Sequence, residues 1–282
     1  MKTYLLPSAA GLLAAASLLV QSTGALAQTT CPAPSSTPSA TLPYITSGES
    51  LSNYTLTFSD EFNTGSGLDA SKWNNAIWYE TPKGPVNYDV NNNRNGKLRI
   101  WPQSQGGKFY NRTIDTDRKF YQTYGYFEIC AKLPRGIGPW PAFWLFNHDG
   151  ETRPEIDIME AYPGSQNKGY WSNNNNEPIG YGATVWLDTN RNVNSQYFGP
   201  FPPLSQSFNV YAVKWDSTGS TFYFNGVARG NKVGAAMPSR MYILLSLWFG
   251  GESGKPSNGN TPTGTGNAYE IDYVRVWRLN TP

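Results

Sequence analysis

Few features here point toward a metal, a nucleic acid or a membrane. The 282 residues contain one histidine and two cysteines, whereas a structural zinc site takes four Cys or His ligands. The formal net charge is +2, so no strong field is available to draw nucleic acid or an anionic membrane surface. Charged residues make up 15% of the chain, and aromatic residues equal them at 15%. Beyond residue 27 there is no long apolar run, no sustained spacing of 3.6 residues and no internal repeat. A helical bundle, a solenoid and a membrane-spanning chain are thereby set aside.

The one apolar stretch lies at the start. Leu5 to Val20 follows Lys2 and is interrupted by Pro7, Ser8, Gly11 and Ser17. A spanning helix needs about 20 apolar residues; this stretch is shorter. It leads into Ala25-Leu26-Ala27, the small-x-small pattern of a signal peptidase site. Residues 1–27 therefore read as a cleaved signal, and the protein as secreted. Residues 28–48 are rich in Ser, Thr, Pro and Ala and read as a flexible leader without its own core. Residues 49–282 then form one domain, long enough for a large all-β fold. An oxidising compartment allows a Cys31–Cys130 disulfide between leader and domain. The sequons at Asn53 and Asn111 matter only in a eukaryotic host.

Within the domain, short aromatic and β-branched runs recur between Gly, Asn and Pro. Tyr124–Lys132, Phe208–Trp215 and Tyr269–Trp277 have strand lengths and strand composition. Asn225-Gly226 after Thr221–Phe224 is a hairpin signal, because both residues tolerate positive φ. Many short antiparallel strands predict an all-β sandwich or jelly roll. The surplus of Trp and Tyr suits stacking against sugar faces, although an aromatic core would use part of it.

The chemistry concentrates in Gly138–Gly164. In a strand over Glu155-Ile156-Asp157-Ile158, Glu155 and Asp157 share one face and the isoleucines the other. Strict alternation would bury Glu160 unpaired, at high cost. One extra residue, most simply Met159, makes a β-bulge that returns Glu160 to the face of Glu155 and Asp157. Three carboxyls in a row raise one another's pKa, which suits a pair of groups in which one is ionised and the other protonated. A calcium site or a solvated edge strand is the plainer alternative, but neither accounts for Trp140-Pro141-Ala142-Phe143-Trp144 just upstream.

These segments resemble glycoside hydrolase family 16, in its bulged, laminarinase-like branch. The likeness rests on Trp140–Trp144 followed by Glu155-Ile156-Asp157-Ile158-Met159-Glu160. It also rests on Phe58–Phe62, Tyr124–Glu128, Phe208–Trp215 and Ile271–Trp277 in the same order. It runs from about Thr55 to the C-terminus and implies an antiparallel, concanavalin A-like β-jelly roll with an open cleft on its concave sheet. It further implies a retaining mechanism with Glu155 as nucleophile, Asp157 as its partner and Glu160 as acid/base. Trp140 and Trp144 would line the subsites before the scissile bond, with core packing the alternative for each. Trp186 and Trp248 are further cleft candidates.

The same likeness suggests a structural calcium at Glu61, Gly96 and Asp272, mostly through backbone oxygens; Asp272 reads equally as an ordinary strand carboxylate. Catalysis itself calls for no cofactor. Two departures unsettle the substrate. Gly182–Trp186 lacks the histidine that many β-1,3-glucanases carry there, and Leu245–Gly251 brings in Trp248. The lone His148 reads as a solvated loop residue. The implied function is endo-hydrolysis of a β-1,3- or mixed β-1,3/1,4-glucan by a chain acting as a monomer. An exopolysaccharide depolymerase and a transglycosylase remain alternatives on the same scaffold, and a non-catalytic carbohydrate-binding module is the alternative from another class.

Overall fold

The computed structural model describes residues 31–32, 42–46, 48–79, 84–92, 95–149, 152–188 and 191–280. The expected signal over 1–27 and most of the leader lie outside the described residues. The strands, in chain order, are β1 (Tyr54–Asp60), β2 (Tyr88–Val90), β3 (Leu98–Ile100), β4 (Ser104–Gln105), β5 (Lys108–Phe109), β6 (Arg112–Asp115), β7 (Gly125–Lys132) and β8 (Pro139–Phe146). They continue as β9 (Glu155–Glu160), β10 (Tyr181–Asp188), β11 (Arg191–Phe198), β12 (Asn209–Asp216), β13 (Gly219–Phe224), β14 (Val227–Val233), β15 (Tyr242–Phe249) and β16 (Tyr269–Leu279). β4 and β5 pair only with each other.

The rest form two antiparallel sheets. One runs β14-β13-β12-β7-β16-β3-β2, with β1 also paired to β16; the other runs β11-β10-β9-β8-β15-β6. Strand period explains why they stack. Phe127 and Ile129 of β7 and Val274 and Val276 of β16 alternate inward, and all four are fully buried. They join one core with Phe143 and Leu145 of β8, Ile156 of β9, Val185 of β10 and Leu245 of β15. Truncating any of these to Ala would cost about 2–5 kcal/mol, because a packed sandwich cannot collapse onto the void. The result is the expected all-β jelly-roll sandwich.

The hairpin signal holds: Asn225 has φ 49° and Gly226 φ 77°, and Phe224 pairs with Val227 across the turn. The leader differs from expectation at its end. Ile45 is buried against Tyr126, Ala212 and Trp277, on the far side of the larger sheet from the main core. The backbone N–H of Tyr44 donates to Glu128, and that of Thr46 to the Gly226 carbonyl. Cys31 and Cys130 form a disulfide. The apolar Ile45 and these two backbone hydrogen bonds dock a segment that composition alone reads as loose.

Candidate active site

The carboxylate strand β9 lies inside the smaller sheet, between β8 and β10. Its register carries the expected irregularity. Against β8, Phe143 pairs with Met159 and Trp144 with Asp157, which leaves Ile158 unmatched. Against β10, Gly182 pairs with Glu160 and Thr184 with Asp157, so Ala183 faces both Ile158 and Met159. The bulge therefore spans Ile158–Met159, and relative to β8 the extra residue is Ile158. Both side chains are buried in the core. That doubled inward step brings Glu160 back to the outer face.

Glu155, Asp157 and Glu160 line one cavity of about 270 Å³. Trp140, Ala142, Trp144 and Phe146 of β8 and Ser246 and Trp248 of β15 complete most of its lining, with Ile77 and Tyr79 over one side. Each carboxyl has a defined partner. Trp140 Nε1 donates to Glu160 Oε1 at 2.9 Å, and the Tyr162 hydroxyl also bonds Glu160. Trp186 Nε1 donates to Asp157 Oδ2 at 3.2 Å, and Asp157 is hydrogen-bonded to Glu155.

The electrostatics follow from crowding among buried carboxyls. Burial pushes Asp157 well above the carboxylate range, and the charges of Glu160 and Glu155 push the same way. Burial also lifts Glu155 to about 7, while its bond with Asp157 pulls it down. Glu160 is raised by burial as well, opposed by Trp140 and Tyr162. Asp157 is thus the group that keeps a proton, donating it toward Glu155, because one buried proton relieves repulsion between two neighbours.

The tryptophans divide in role. Trp140 is half-exposed and meets Trp248 edge to face at 5.7 Å. Trp144 is only 8% exposed and donates to Ser246 Oγ at 3.0 Å, so it forms cavity floor more than wall. Trp248 is fixed by its bond to Thr113 Oγ1 at 2.9 Å. Trp186 lines neither this cavity nor the one beyond Glu160, and serves as the donor to Asp157.

His148 is not solvated. Its ring stacks on Trp78 with centroids 4.6 Å apart, and Nδ1 lies 3.1 Å from the Tyr242 hydroxyl. It lines a separate cavity of about 840 Å³ that meets the carboxylate cavity only at Ile77.

The suggested calcium residues are also otherwise engaged. Both Glu61 oxygens accept from Arg275 at 2.8 Å. Asp272 Oδ1 lies 3.7 Å from Lys97 Nζ. Two resident cations thus pair with the two carboxylate side chains, whereas the likeness places the ion mostly on backbone oxygens, which these ion pairs do not involve.

Several cleft residues escape the sequence reading. Tyr162 follows Glu160 by two, and the strand period extended one step would have found it. Trp171, Tyr170 and Tyr197 lie with Tyr162 around a second cavity of about 230 Å³ that begins at Glu160; Trp171 sits in a loop, where no periodic signal exists.

Comparison with known proteins fits this geometry. Residues 54–279 match the family model described as Beta-porphyranase A-D, GH16 domain. The chain belongs to glycoside hydrolase family 16. It is 30% identical over 256 residues to the Endo-1,3-1,4-beta-glycanase ExsH of Rhizobium meliloti (strain 1021), covering 79% of this chain and 52% of that protein. The chain thus spans about half the length of the curated relatives it matches first. The fold is that of SCLam, a non-specific endo-beta-1,3(4)-glucanase, with TM-score 0.65 and 24% identity over 84% of this chain and 96% of that one. Porphyranase B from Zobellia galactanivorans has TM-score 0.66 and 20% identity, covering 84% of this chain and 98% of that one. This glycoside hydrolase domain thus has the predicted jelly-roll fold.

Proposed function

We propose that the domain is a secreted, endo-acting retaining hydrolase of a neutral β-linked polysaccharide, a β-1,3- or mixed β-1,3/1,4-glucan, working as a single chain. The observation that carries this reading is the row Glu155–Asp157–Glu160 on one sheet face, lining one cavity. Glu155 would attack the anomeric carbon while Glu160 protonates the departing oxygen, giving a glycosyl ester on Glu155. Glu160, now a carboxylate, would then take a proton from water as it attacks. Retaining enzymes hold the two carboxyls about 5–5.5 Å apart, whereas inverting enzymes need about 6.5–9.5 Å for an intervening water.

The glucan assignment draws support from the endo-1,3-1,4-beta-glycanase relative. A neutral substrate is favoured because the described residues lining the two cavities around Glu160 include no Lys or Arg. Secretion rests on the pattern at residues 1–27. The test is a side-by-side assay on laminarin, lichenan, agarose and a branched bacterial exopolysaccharide, with the first-formed anomer read by proton NMR. Release of β-anomeric oligosaccharides from laminarin or lichenan supports the reading. First-formed α-anomers, or release from agarose alone, would refute it.

A further inference from the structure

The concave face loses its open floor one strand beyond β8. Tyr242, Leu244 and Ser246 of β15 pair with Phe146, Trp144 and Ala142, so they share the face of the carboxylate row. None of the three is more than 1% exposed. Ile77 supplies much of the cover. It is itself 2% exposed and joins one apolar cluster with Ala142, Trp144, Phe146, Tyr242 and Leu244, since an aliphatic side chain there takes apolar surface out of water. It is also the one described residue that lines both the carboxylate cavity of about 270 Å³ and the cavity of about 840 Å³ behind it. The chain is pinned on either side of Ile77. Ahead of it, Asn74 and Asp115 exchange backbone hydrogen bonds of 2.7 and 3.1 Å, and Asn74 Nδ2 donates to Asp115 Oδ1 at 2.8 Å. After it, Trp78 stacks on His148 at 4.6 Å, and His148 is fixed in turn by the Tyr242 hydroxyl at 3.1 Å. The partition between the two cavities therefore stands in place before any sugar arrives.

We infer that Ile77 is a specificity-determining residue that walls off one side of the cleft, so that recognition of the glycone, the sugar chain before the scissile bond, stops at about its second unit. The inference rests on the proposed hydrolase, whose glycone lies over Trp140 and Trp144 of β8. At about 270 Å³ the carboxylate cavity falls just below the roughly 300–1,000 Å³ typical of larger ligands, which leaves room for about two pyranose rings. A third ring on the same line would have to occupy the volume of Ile77. That side chain does not swing aside cheaply. Its β-branch restricts its rotamers, and its departure would return apolar surface of Tyr242 and Leu244 to water. Cleavage inside a polymer stays open, because the chain past the wall can rise into solvent. It gains no contact there, and the cavity of about 840 Å³ takes no part of the glycone.

The experiment measures kcat/KM for nitrophenol release by the full-length protein from nitrophenyl β-glycosides. Their β-1,3- or β-1,4-linked glucose chains have two, three or four units, and the leaving group is constant, so only glycone length varies. In the wild type kcat/KM should be level from two units to four. Ile77→Ala joins the two cavities, and kcat/KM should then climb about tenfold over the same range, mainly through KM, the scale of one further sugar contact. Ile77→Val removes a single methyl group and should give a smaller climb of the same sign, which serves if Ile77→Ala proves unstable. A climb already present in the wild type, or a level series in every folded variant, overturns the wall while leaving the hydrolase reading intact. No nitrophenol from either series, or inversion at the anomeric carbon, removes the reading on which the inference stands.

Discussion

Replacing Asp157 by Asn and by Ala separates its proton from its charge. Asp157 accepts from Trp186 at Oδ2 and donates its retained proton to Glu155. An Asn in the same place presents an oxygen to Trp186 and an N–H to Glu155, so both bonds survive. An Ala removes both. A hydrogen bond to a charged group contributes roughly 1.5–3 kcal/mol, and each pKa unit is about 1.36 kcal/mol. Glu155, already lifted to about 7 by burial, should therefore rise a further 1–2 units or so in Asp157→Ala. The sign follows from the chemistry: the nucleophile acts ionised, so kcat/KM falls as pH drops through its pKa. A raised pKa moves that acid limb upward. At about pH 6, Asp157→Ala should lose roughly 10–100-fold in kcat/KM and recover part of it at higher pH. Asp157→Asn should keep its limb close to that of the wild type. The assay is kcat/KM against pH on a soluble glucan, with melting curves to confirm folding. An acid limb displaced equally in both variants would refute the reasoning, because ionisation of Asp157 would then be what matters.

Trp140→Phe keeps an aromatic ring but removes the donor to Glu160; turnover on polymer should fall about tenfold or more while the melting temperature holds, and a loss of several kcal/mol of stability instead would mean the ring is core packing. A chelator should leave the melting temperature unchanged, because Arg275 and Lys97 already hold Glu61 and Asp272; a fall reversed by calcium would contradict that account. Cys130→Ser opens a link between residues 99 apart in sequence and should cost about 2–5 kcal/mol in a denaturant titration. The folded variant should keep its kcat, since the disulfide sits on the larger sheet; a parallel loss of kcat would tie the leader to the active face.

The site was legible where strand period governs it. The two-residue and then three-residue spacing of Glu155, Asp157 and Glu160 can be met on one face only with a bulge, and a bulge is there. Which residue is extra was not legible: Ile158 and Met159 are both apolar and both fit the core, so only the ladder to β8 decides it. Trp144 and Trp186 show the limit of composition. A tryptophan in such a segment can be wall, floor or hydrogen-bond donor, and the choice depends on Ser246 and Asp157, which are remote in sequence. Trp171 and Tyr197 were invisible because loop geometry brings them together, and nothing in the sequence ties Gly180 or Gly182 to those rings. His148 went astray for the same reason, since its partners Trp78 and Tyr242 lie 70 and 94 positions away.

The account turns on which glutamate is the nucleophile and which the acid/base. The most direct measurement is the anomeric configuration of the glycosyl azide formed when azide rescues Glu155→Ala and Glu160→Ala on an activated β-glycoside. In Glu155→Ala no ester can form, so azide displaces the leaving group directly and gives the inverted α-azide. In Glu160→Ala the ester forms on Glu155 and azide opens it, giving the retained β-azide. The reverse pairing, α from Glu160→Ala and β from Glu155→Ala, would contradict the assignment.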